Sequence, residues 1–242
     1  MIPQFAMNAV AEVLAALESK GSEQTRKIYR RHGATGEFFG VKIADLKVIA
    51  KQIKGEQELA LALYETGNVD AIYLAGIVAD GRQMTKKQLN DWAKNASWSM
   101  IAEYSVPGVT VESPFARELA MKWISAKNES VAFTGWTTYS GVVATTADDE
   151  LDLGEIEGLL QKTESEISEA PDRIRYTMNG FVISVGGYVK PLSKQAKATA
   201  KKLGKVEVDM GETSCKVPLA LEYIEKMERS GRAFKKRKTI KC

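Results

Sequence analysis

Apolar residues recur at helical spacing along almost the whole chain. Val10, Val13, Leu14 and Leu17 fall at i, i+3, i+4 and i+7. Leu46, Ile49, Ala50 and Ile53 repeat the pattern, as do Ala116, Leu119, Ala120, Trp123 and Ile124, and then Ile156, Leu159, Leu160 and Thr163 with Ile167 beyond. Each set draws one apolar stripe along an amphipathic helix. The pattern predicts helices over about 4–19, 22–31, 44–54, 56–65, 69–80, 85–95, 98–104, 113–126, 129–146, 152–168, 172–187 and 191–203. Ser22, Thr85, Ser97 and Ser113 are candidate N-caps. Pro114 and Pro171 fit first-turn positions.

Helices beginning near Asp45, Thr85, Ser113 and Asp152 give a repeat of roughly 30–45 residues, the range of helical-repeat proteins. Their partner helices share a glycine in mid-helix followed by a bulky apolar residue: Gly76–Ile77, Gly135–Trp136 and Gly180–Phe181. Glycine there costs about 1 kcal/mol relative to alanine, so close helix packing, or close approach of a ligand, must offset it. The expected fold is all-α, a helical-repeat superhelix that presents a long concave surface. After Gly204, residues 205–211 alternate like a short extended piece, and Val217, Ala220, Tyr223, Ile224 and Met227 mark one more helix ended by Gly231. This divides the chain into a repeat domain over 1–204 and a capping segment with a basic tail over 205–242.

Composition narrows the function classes. Of the 242 residues 44% are apolar and 27% charged, as in ordinary globular proteins. No run approaches the roughly 18 apolar residues of a membrane span. The first residues carry Glu12 within their apolar part and no basic leader, so they read as a first helix and not a signal peptide. Two cysteines, Cys215 and Cys242, suit a reducing cytoplasm. A single histidine, His32, assembles no metal site, and Gly33–Gly36 lacks a nucleotide-cradling pattern. Neither a metal nor a cofactor is expected, and a monomer is the expected state.

Charge is uneven. The last eleven residues hold Arg232, Lys235, Lys236, Arg237, Lys238 and Lys241 with no acid. Such a segment suits phosphate contact, because each cation that meets a phosphate releases condensed counterions; a solvated terminus is the alternative reading. Further candidates for phosphate contact are Lys27 and Arg31 on one helix face, Arg82 at a helix start, and Arg173, Arg175 and Lys190 on or after a late helix. Lys27 and Arg31 at i, i+4 repel unless an anion or Glu23 lies between them. Trp98, Trp136 and Phe181 could stack on bases in a groove or could be core. His32 reads as a charge at a helix C-terminus.

The segment Glu37 to Leu46, EFFGVKIADL, together with the Trp98 region and Arg173–Phe181, RIRYTMNGF, resembles the DNA alkylation repair family of HEAT-like repeat proteins, the AlkD-like DNA glycosylases. The resemblance spans about residues 20 to 205. It implies a HEAT-like α-α solenoid that holds duplex DNA on a basic concave face and excises N3- or N7-alkylated purines without metal or cofactor. It also implies an aspartate flanked by two tryptophans. The first tryptophan falls on Trp98 and the second on Phe181, which keeps a ring. The aspartate falls on Ala102, which can neither stabilise an oxocarbenium-like sugar nor position water. Glu103 is adjacent, but one helical residue turns it about 100° away; it would serve as the catalytic carboxylate only if the helix changes register or ends near Pro107. The expected partner is therefore damaged or distorted duplex DNA. The alternatives are a non-catalytic binder of DNA structure and a protein-binding helical scaffold.

Overall fold

The computed structural model describes residues 4–241, so Cys242 lies outside it. Thirteen α-helices are described: α1 (Gln4–Lys20), α2 (Glu23–Arg31), α3 (Ile43–Gln52), α4 (Gln57–Tyr64), α5 (Val69–Val78), α6 (Lys86–Asn95), α7 (Val106–Val111), α8 (Ala116–Ile124), α9 (Glu129–Thr145), α10 (Leu153–Glu166), α11 (Asp172–Tyr188), α12 (Ser193–Leu203) and α13 (Ala220–Arg229). No strand occurs among the described residues beyond one isolated bridge, Gly21 to Val41. The chain divides into two compact units, the first built mainly from residues 1–114 and the second from 115–240 with small exchanges.

In the first unit α5 is central. It packs against α1, α3, α4 and α7, and Val69 to Gly76 are buried throughout. Gly76 permits this, because a Cβ there would lie 2.4 Å from that of Ser105. A buried carboxylate organises the loop before α3. Asp70 accepts the backbone N–H groups of Phe39, Gly40 and Val41 at 2.7, 3.0 and 2.9 Å. Burial pushes its carboxyl above the ordinary value, and the three amide donors offset only part of that rise. Gly40 must be glycine on two grounds. Its φ is +77°, and a Cβ would stand 2.7 Å from the Arg26 nitrogen and 2.8 Å from the Ser22 carbonyl oxygen. The Tyr29 hydroxyl donates to the Val41 carbonyl and closes the loop onto α2.

In the second unit α9 and α11 lie side by side, with α8 against α9 and α12 and α13 against α11. Their shared core includes Trp136, Tyr139, Ile156, Leu160, Phe181, Val185, Ala196 and Ile224. Gly135 meets α8 so closely that a Cβ would stand 2.4 Å from the Ile124 nitrogen. Gly180 differs. Beyond its own helix no atom lies within 4 Å of where its Cβ would be, so tight packing explains two of the three mid-helix glycines and not this one.

Helix boundaries follow the apolar period with one instructive exception. The helix expected over 98–104 is a π-helical turn at Ile101–Ser105 that runs straight on into α7 through Pro107. A proline inside a helix removes a backbone donor and crowds the preceding turn, and the wide π turn sits where that crowding falls. Among the caps, Ser22 and Thr85 accept from Thr25 and Gln88 amides as expected. Ser113 instead is buried and donates to the Thr110 carbonyl, leaving Phe115 as the N-cap of α8.

Asp70→Asn should destabilise the chain by about 2–3 kcal/mol, since an amide group cannot accept all three N–H bonds; the denaturant midpoint measures it. Gly180→Ala should stabilise by about 1 kcal/mol, raising Tm by about 2–4 °C. Gly135→Ala should lower Tm, because the methyl meets backbone that cannot swing aside.

Candidate nucleic acid interface

Polar groups at the surface come from short, strongly capped helices and from the segment after α13. On α2 the basic residues separate by function. Glu23 pairs with Arg26 at 2.8 Å and with Arg30 at 3.5 Å. It therefore does not lie between Lys27 and Arg31. Both of these are exposed, and neither makes an ion pair among the described residues. Two like charges held a helical turn apart without a counterion form a ready anion contact. His32 is the C-cap of the same helix.

Other expected cations already have partners. Arg82 forks onto Asp80, with Nε and Nη2 at 2.9 and 3.0 Å from its two oxygens. The guanidinium holds the Asp80 carboxyl well below its usual range. Arg175 is paired with Asp172 at 2.6 Å, and Arg173 lies over the Tyr176 ring at 5.2 Å. Each of Arg82 and Arg175 thus has its guanidinium on a carboxylate from the same turn.

The aromatic expectations are corrected. Trp98, Trp136 and Phe181 are 3%, 1% and 0% exposed. The Trp98 indole donates to the His32 carbonyl at 2.8 Å and lies 4.8 Å from the Tyr29 ring, fixing the end of α2. Trp136 and Tyr139 pack on Phe181 at 5.3 and 5.8 Å between centroids. A ring with no free face cannot stack on a base, so these three serve as core. Ala102 is fully buried and Glu103 is 5% exposed within the π turn. The turn does change the helical register beside Trp98, yet it carries the Glu103 carboxylate inside and not toward solvent. A cleft of about 330 Å³ opens nearby, lined by Thr35, Gly36, Tyr64, Glu65, Asn95 and Ser97 among others. Its lining holds one titratable surface group, Glu65, and no cation.

The segment after α13 is where the structure adds most. Its six cations do not form a free arm. The Phe234 N–H donates to the Gly187 carbonyl at 2.7 Å, and the Arg237 N–H to the Ala144 carbonyl at 2.8 Å. The Lys236 ammonium donates to the Val143 carbonyl and pairs with Asp148, both at 2.8 Å. Asp148 also accepts the Lys190 N–H. Lys241 is likewise internal to the first unit, against Glu112 and the Ala79 carbonyl. The segment thus runs along the carbonyl-rich C-terminal ends of α9 and α11, where cations are favoured. Lys236 thus serves to anchor it. Lys190, Lys235, Arg237 and Lys238 remain exposed, with side chains that make no ion pair among the described residues. No acidic cluster that could hold a metal ion occurs among the described residues, and no helix there is long and apolar enough to cross a membrane.

Comparison with known proteins places this arrangement. The family model for DNA alkylation repair enzymes matches residues 13–205. Uncharacterized proteins of Listeria innocua (Lin0241) and Listeria monocytogenes (Lmo0209) are 35% and 34% identical over 216 residues, 87% of this chain and 93% of each relative. A solved structure superposes with a TM-score of 0.88 at 36% identity, covering 96% of this chain and 99% of that one. It is described as representing a new family related to the HEAT-like repeat DNA glycosylases, with affinity for branched DNA structures. The all-α helical class expected from the apolar period holds, as does the HEAT-like repeat that the resemblance implied, and the chain belongs to the DNA alkylation repair family.

Proposed function

We propose that this chain binds branched DNA without excising a base, using the fixed cations of its second unit. The observation that carries the reading is the solved relative's affinity for branched DNA, found in a protein that matches nearly the full length of this chain. Lys190, Lys235, Arg237 and Lys238 supply the chemistry: four solvent-facing charges on a backbone already fixed by Gly187, Ala144 and Asp148. The ordering cost of the backbone is met on folding, so contact with phosphates has only the side chains left to order.

The case against excision rests on Ala102. Departure of a cationic purine leaves positive charge on the sugar, and a carboxylate fixed beside it would lower that barrier. The methyl of Ala102 provides nothing of the kind, and Glu103 is buried.

In a titration against a four-way junction and a linear duplex of equal length, the junction should bind tighter. Its affinity should fall with salt at a log–log slope of about −3 to −4, as four phosphate contacts require. Joint replacement of Lys190, Arg237 and Lys238 by alanine should flatten that slope by about 3. Equal affinity for both DNAs, or an unchanged slope, would refute the reading. Incubation with duplex containing 7-methylguanine should release no free base above the uncatalysed rate; release would restore the glycosylase alternative.

A further inference from the structure

We propose that Phe234 is a stacking platform for an unpaired base at the branch of a bound DNA. The inference deepens the branched-DNA reading and rests on it. Phe234 is the one non-glycine residue with positive φ among the described residues, at +62°. A Cβ-bearing residue is disfavoured there, and such strain persists only where the surroundings impose it. The imposing contacts are visible on both sides. On one, α13 ends at Gly231, and the Arg232 and Ala233 amides both close onto the Met227 carbonyl. On the other, the Phe234 amide is tied to Gly187 and the Arg237 amide to Ala144. A chain serving only to cover α9 and α11 would gain by placing glycine at this position. Instead it holds a phenylalanine that is 36% exposed.

The neighbours of that ring decide what it could meet. Lys235, Arg237 and Lys238 follow Phe234 within four residues and are exposed, and Lys190 is exposed with its N–H on the same Asp148 that pairs with Lys236. The same place holds Asp148, Asp149 and Glu150, of which Asp148 is already bonded to Lys190 and Lys236. Five cations against three acids leave the surface positive. An aromatic face set among cations is the chemistry of single-strand binding, in which charges follow the phosphates and the ring takes a base. Paired, stacked bases in a linear duplex offer no free face. A branch point does, because stacking is interrupted there. The ring therefore distinguishes a branch from a duplex that presents the same phosphates.

The test uses the full chain with a forked duplex carrying 2-aminopurine as the first unpaired base, and a linear duplex carrying it paired. The wild type should change 2-aminopurine emission in the fork and leave it unchanged in the linear duplex. Phe234→Leu keeps an apolar side chain of similar bulk, so Tm and linear-duplex affinity should hold. Fork affinity should fall about tenfold, the loss of one stacked base, and the emission change should vanish. Phe234→Trp should retain both. Wild-type fork affinity and emission response in Phe234→Leu would overturn the proposal while leaving branch preference intact. So would a fork complex of the wild type with no emission change, whatever the stability of the variants. A wild type that binds fork and linear duplex alike would bring down the branched-DNA reading, and this inference with it.

Discussion

The basic surface of the second unit is built on the Lys236 ammonium held between the Val143 carbonyl and Asp148. Helix ends leave carbonyls without partners, and here two long helices end side by side. A lysine satisfies one of those carbonyls, and backbone amides of Phe234 and Arg237 take two more. A run of cations with no acid of its own would otherwise repel itself into solvent. The carbonyl ends of α9 and α11 attract it instead, and the residues between the anchors are left facing outward. Charge that serves the fold and charge left for a partner thus alternate along a single stretch of backbone.

The loop before α3 has a comparably simple cause. Three consecutive amides at Phe39, Gly40 and Val41 converge on Asp70, which demands a tight turn that only glycine fits at position 40. The aspartate sits thirty residues later, on a helix buried along most of its length. A charge placed there is tolerated because three donors surround it. Motif and partner together fix where α3 begins, and through Tyr29 they also fix α2. The resemblance at EFFGVKIADL therefore reports a structural lock and says nothing about catalysis.

Much of the fold was legible because one apolar stripe per helix suffices to set a helical period. Two features were not. Periodicity marks the face of Trp98, Trp136 or Phe181 but cannot tell whether that face meets solvent or another layer of helices, and all three are enclosed. Nor does composition reveal how a basic segment is distributed between internal and external partners. Arg82 and Arg175 each stand two or three residues from an aspartate, a spacing that could have warned of local pairing. Lys236 gave no such warning, since Asp148 and Val143 lie about ninety residues away in sequence. The unusual φ of Phe234 had no signal in the sequence at all, because phenylalanine is not a residue chosen for that conformation.

The chain thus keeps the fold of the DNA alkylation repair family, with alanine where the resemblance implied a carboxylate, and carries a basic segment whose backbone is anchored in the free protein. Amide hydrogen exchange across residues 232–241, with and without a four-way junction, tests this most directly. The account predicts slow exchange at Phe234 and Arg237 in the free protein, with added protection on junction binding confined to this segment and the Gly187–Lys190 turn. Exchange at the rate of an unstructured peptide, or protection appearing elsewhere while this segment stays unchanged, would contradict it.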